Sequence, residues 1–79
     1  MGLAKSEQEI AERASRFLKA ELKRADVTYE ELAKRLKKHG VDETRDSIAA
    51  KLKRGTFAAT FFIGVIAALE LEGVRLEDL

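Results

Sequence analysis

The residue types that carry out catalysis are scarce in this chain of 79 residues, and they stand apart from one another. The single histidine, His39, follows two lysines at a predicted helix end, and one histidine without any cysteine does not make a usual zinc site. The three serines have no neighbours that resemble an activated nucleophile. Adjacent acidic pairs at positions 30–31 and 42–43 do not converge on one point, as catalytic carboxylates must. We therefore expect no enzyme, no cofactor and no metal site.

The basic residues offer a different chemistry, the binding of a polyanion. The formal net charge is only +1, but the stretch between Glu12 and Arg54 holds thirteen basic and eight acidic residues. Acidic residues near both ends of the chain cancel this local excess. Such a distribution is typical of a nucleic-acid-binding domain whose total charge is near neutral, and equally of a solvated helix surface.

Helices are the elements that must position these side chains, because the chain has no proline and only five glycines. Apolar residues make up 46% and charged residues 37%, which suits a small globular domain. The absence of cysteine gives no sign of secretion, and there is neither a signal peptide nor an apolar run of about 20 residues. We expect one soluble, cytoplasmic domain over residues 1–79, with a flexible N-terminus over residues 1–6.

Apolar periodicity predicts four helices. The first covers residues 7–25, and the second begins at Thr28, where Glu31 three residues later completes a capping-box signature. The third runs from an N-cap at Thr44 to Arg54, and the fourth from residue 57 to 71 or 72. Each of the last three is followed by a glycine that can close it in the left-handed conformation: Gly40, Gly55 and Gly73.

The fourth segment is apolar almost all round, so we expect it to be buried on most faces as the central core element. The short tail after it is expected to dock through Leu76 or Leu79. The predicted core consists of Leu22, Leu32, Leu36, Ile48, Leu52, Phe61, Phe62, Val65 and Ile66.

The third helix has the profile that insertion into a DNA major groove requires. Burying Ile48, Ala49 and Leu52 turns a narrow face outward, with a small residue at its centre: Asp46, Ser47, Ala50, Lys51 and Arg54. The alanines at 49 and 50 are also good helix formers suited to a close helix crossing, so the pattern by itself leaves both interpretations open.

Two resemblances follow from these residues. Residues 27–36 resemble the opening of the phage-repressor-like (lambda-repressor-like) helix-turn-helix, and residues 52–55 resemble the close of its recognition helix, although the connection between the two helices is longer here. Over residues 18–76 the chain also resembles a family of small bacterial domains of unknown function, through motifs at 18–24, 28–33, 51–57 and 58–62. The repressor resemblance implies an all-α fold of four to five helices, with the helix-turn-helix at residues 28–55.

The same resemblance implies a protein that binds double-stranded DNA as a homodimer and regulates transcription. Phosphate contacts are expected from Lys34, Arg35, Lys37, Lys38 and Lys53, and groove contacts from Arg45, Ser47, Ala50, Lys51 and Arg54. The alternative is an interaction or homodimerisation module on the same scaffold, which does not bind DNA and pairs through Phe57, Ile63 and their neighbours in the fourth helix.

Overall fold

A computed structural model describes residues 6–79, and over these residues the chain is all-helical with no β-strand. The four α-helices are α1 (Glu7–Ala25), α2 (Tyr29–Lys38), α3 (Arg45–Arg54) and α4 (Ala59–Ala68), followed by a 3₁₀ turn at Leu76–Asp78. The predicted fold class is therefore confirmed at the level of an all-α domain of four helices. Most of the segment expected to be a flexible N-terminus lies outside the described residues, while Ser6 caps α1 by accepting a hydrogen bond from Glu9 N.

The ends of the first three helices agree with the sequence signals. Thr28 caps α2 by accepting a hydrogen bond from the Glu31 amide at 3.1 Å. Thr44 caps α3 in a true capping box, in which its hydroxyl accepts from Ser47 N and the Ser47 hydroxyl accepts from Thr44 N. Gly40 and Gly55 adopt the positive φ angles predicted for them, +80° and +83°.

The fourth helix is shorter than predicted at both ends. Its N-cap is Ala58, and Phe57 just before the cap stacks its ring on Phe62, with centroids 6.4 Å apart, as in a hydrophobic staple. At the other end Glu70 takes a φ of 59°, and Leu71 N donates to Ile66 O at 3.0 Å, which closes the helix before Gly73 is reached. The prediction that Gly73 closes this helix is therefore wrong.

The core lies between the helices, with α3 packed against both α1 and α2 and with α4 packed against α2. Only one stripe of α4 is buried, so the expectation that this helix is covered on most faces is also wrong. Phe62 and Ile66 are half-buried at the edge of the core instead of inside it. The buried apolar residues are Leu18, Leu22, Val27, Leu32, Leu36, Ile48, Leu52, Phe61, Val65 and Ala68.

The C-terminal tail returns to α1. Leu79 is half-buried, and its carbonyl oxygen lies 3.4 Å from the Arg13 guanidinium, which donates to it. Leu76, the other expected docking residue, is 63% exposed. The tail therefore docks through Leu79 and not through Leu76.

Candidate nucleic-acid interface

The outward face of α3 has a small, accessible centre. Ala50 is exposed, as predicted, and so are Asp46 and Arg54. Arg45, at the start of the helix, is exposed and lies 3.5 Å from the Asp46 carboxylate. Because no bulky side chain occupies the middle of this face, a flat or grooved partner can approach the helix backbone closely.

Two residues expected on that face, Ser47 and Lys51, are half-buried and engaged within the chain. Both donate to the carboxylate of Glu43, which precedes α3: Ser47 Oγ to Oε1 at 2.6 Å, and Lys51 Nζ to Oε2. We call these three residues the Glu43 cluster. Lys51 Nζ also lies 5.0 Å from the centroid of the Phe61 ring, so the cluster connects the loop before α3 with α4.

The side chain of Glu43 is only 7% exposed. This burial raises the pKa of its carboxyl, but the hydrogen bonds from Lys51 and Ser47 and the charge of Lys51 together lower it by more, so the net pKa lies below its ordinary value. Glu43 is therefore held as an anion among its partners. From the sequence, Glu43 belonged to an acidic pair that converges on no catalytic point. Because it precedes the N-cap and lies outside the helix, helical spacing does not predict its contacts with Ser47 and Lys51.

The basic residues of α2 divide into paired and unpaired side chains. Arg35 is half-buried, and its Nε donates to Glu31 at 3.1 Å. The exposed residues Lys34, Lys37 and Lys38 form no ion pair within residues 6–79. Since α2 packs directly on α3, these three ammonium groups lie on the helix next to α3.

A second group of cations lies where the end of α3 meets α1. Arg54 is held by Thr56, donating to its hydroxyl at 3.0 Å and its carbonyl oxygen at 3.2 Å, and Lys53 is exposed without an ion pair among the described residues. Both line an open groove of about 650 Å³ with Arg16 and Lys19 of α1, and the same groove is also lined by the acidic residues Glu7 and Glu12. Arg16 was not predicted as a site residue, although it is one helical turn before Lys19 on the same face.

His39 is exposed at the C-cap of α2, in the position expected for a residue that only complements the helix dipole. No helix in the described part of the chain is both long and apolar enough to cross a bilayer.

Comparison with known proteins gives one match. The model of a family described as a domain of unknown function, DUF6471, matches residues 10–74. This confirms the resemblance to a domain family of unknown function that the motifs between residues 18 and 76 indicated. No curated protein and no solved structure matches the chain.

Proposed function

Since the chain belongs to the DUF6471 family, for which no function is described, we propose from its own surface that it binds double-stranded DNA and regulates transcription. In this proposal α2 and α3 form a repressor-like helix-turn-helix, and α3 enters the major groove. The observation that carries it is the set of exposed, unpaired lysines on α2, the helix that packs against α3, together with the small exposed residue Ala50 on α3 itself. A regulator this small reaches useful specificity as a homodimer on two half-sites.

The residues have separate roles in this proposal. Lys34, Lys37, Lys38 and Lys53 bind phosphates, because each is exposed and none is neutralised by an acidic partner in residues 6–79. Arg35 stays paired with Glu31 and contributes to the positive electrostatic potential of α2. Ala50 contacts a thymine methyl group, and Arg45 and Arg54 reach base edges from the two ends of α3.

Binding to duplex DNA at several salt concentrations tests the phosphate contacts. Lys34→Ala and Lys38→Ala are each expected to weaken binding equally on unrelated sequences and to flatten the plot of log affinity against log salt by about 0.9. Arg75→Ala is the control, since Arg75 carries the same charge on an exposed residue that belongs to neither α2 nor α3, where it pairs with Glu77. It should leave the slope unchanged.

Contacts with base edges, unlike phosphate contacts, should depend on the DNA sequence. Arg54→Ala should cost about 1–3 kcal/mol of binding free energy at a preferred site and less on random DNA. A wild-type protein that shows no salt-dependent binding at micromolar concentration and low salt would overturn the proposal as a whole.

The second candidate function, a self-association module, is favoured by one observation on α4. Ile63 is 64% exposed on a helix that contains no charged residue. Ile63 shares its exposed face of α4 with the uncharged residues Ala59, Thr60 and Ala67, and a contiguous exposed apolar patch, unlike a single residue, marks a protein contact. Phe57, the other residue expected there, is half-buried against Phe61 and Phe62.

Light scattering, which measures the mass of the particle in solution, tests the self-association candidate. Ile63→Glu is expected to reduce the mass from dimer to monomer, while Leu76→Glu leaves it unchanged, because Leu76 is equally exposed but lies outside α4. A monomeric wild-type protein at high concentration would eliminate the candidate.

A further inference from the structure

We propose that Glu43 holds Lys51 and Ser47 away from DNA, so that this one carboxylate sets the affinity of the α3 face for phosphate. This inference rests on the proposed function and adds an affinity-determining residue to it. Glu43 lies one residue before the N-cap of α3, and its two oxygens accept from side chains on the first two turns of that helix.

The geometry supports this role because a carboxylate and a phosphate use the same donors. An ammonium group and a hydroxyl on a helix that faces DNA are the usual partners of a phosphate oxygen. In this chain both donors are already taken by an anion of the protein itself. The ammonium group of Lys51 is also kept near the Phe61 ring, 5.0 Å from its centroid, and only 30% of the Lys51 side chain is exposed.

The other two cations of α2 and α3 that form ion pairs within residues 6–79, Arg35 and Arg45, differ from Lys51 in the exposure of their partners. The Glu31 carboxylate that Arg35 pairs with is 46% exposed, and the Asp46 carboxylate beside Arg45 is 92% exposed, whereas that of Glu43 is 7% exposed. Ion pairs in solvent exchange readily and contribute little, while a nearly buried carboxylate with two donors is costly to separate. A phosphate can therefore bind Lys51 only if the nearly buried ion pair between Lys51 and Glu43 is broken.

The experiment compares Glu43→Gln with Asp42→Asn by DNA affinity over a range of salt concentrations. Both variants remove one negative charge from the same connection, but Asp42 is exposed and forms no ion pair in residues 6–79. Glu43→Gln should steepen the plot of log affinity against log salt by about 0.9, because Lys51 gains a phosphate contact. Asp42→Asn should keep the wild-type slope, since it frees no cation.

Replacing Lys51 completes the test. Adding Lys51→Gln to Glu43→Gln should return the slope to the wild-type value, whereas Lys51→Gln alone should leave it unchanged. The single Lys51→Gln variant keeps the inference testable if circular dichroism shows that Glu43→Gln does not fold. A slope flattened by about 0.9 in that variant would mean that Lys51 already contacts phosphate, which overturns the inference.

The remaining outcomes separate the two proposals. Equal slopes for Glu43→Gln and Asp42→Asn overturn the role of Glu43 while leaving DNA binding intact. A wild-type protein that does not bind DNA overturns the proposed function and, with it, the inference that rests on it.

Discussion

At the scale of single residues, Ser15 shows how a polar group is accommodated in this core. It is the one buried polar residue among those described, and its hydroxyl donates to the carbonyl oxygen of Leu52. Because α3 ends at Arg54, that carbonyl has no donor within its own helix. Ser15 supplies the missing donor from α1, so the end of α3 is satisfied by tertiary contact.

Ser15→Ala is expected to lower the free energy of unfolding by about 1–3 kcal/mol, since it leaves a buried carbonyl without a partner. Urea denaturation measures the loss. Thr60→Ala is the control, because Thr60 is exposed on α4 and should change stability by no more than about 0.5 kcal/mol. Similar losses for the two variants would show that the Ser15 hydrogen bond contributes nothing.

At the scale of helices, α1 and α4 each end at a residue in the left-handed conformation that is not glycine, although glycine is usual at this position. Asp26 and Glu70 adopt φ angles of 58° and 59°. In both, the next residue, Val27 or Leu71, donates back to the carbonyl five residues earlier, which is the Schellman pattern. Aspartate tolerates this conformation better than glutamate does, so the end of α4 carries the greater backbone strain.

Glu70→Gly should raise the free energy of unfolding by about 0.5–1 kcal/mol, because relief of the left-handed strain exceeds the added entropy of glycine in the unfolded chain. Glu72→Gly is the matched control, since Glu72 is exposed and has no positive φ. It should be neutral or destabilising in the same thermal and chemical denaturation series. A Glu70→Gly variant no more stable than Glu72→Gly would contradict the assignment of strain to position 70.

At the scale of the whole molecule, stability depends on a small core in which one aromatic ring is fully enclosed. Phe61 is 2% exposed and contacts the ring of Phe57 at a centroid distance of 5.2 Å. Phe62 lies half-exposed between Phe17 and Phe57. A domain of this size has only about 5–10 kcal/mol of stability, so losing the enclosed ring approaches unfolding.

Phe61→Ala is therefore expected to cost about 3–5 kcal/mol, as for a buried ring whose site does not collapse. Phe62→Ala should cost clearly less, because part of its ring is in water in the folded state. Chemical denaturation of both variants at one temperature gives the comparison. Equal costs would mean that the two rings are buried alike.

Much of this architecture is determined by short stretches of sequence. Thr28 and Thr44 cap helices, and Gly40 and Gly55 end them, because each of these effects involves a side chain or a φ angle within a few residues. The exposure of Ala50 follows in the same way from helical periodicity, which sets opposite faces once the buried stripe is known.

Only the tertiary structure decided the end of α4, the difference between Phe61 and Phe62, and the Glu43 cluster. Consecutive apolar residues do not reveal which of them faces a neighbouring helix, because that depends on how α4 packs against α2. Likewise, Glu43 is an ordinary acidic residue before a helix until burial removes water from its carboxylate. It then binds Lys51 and Ser47, since a buried charge must find donors within the protein.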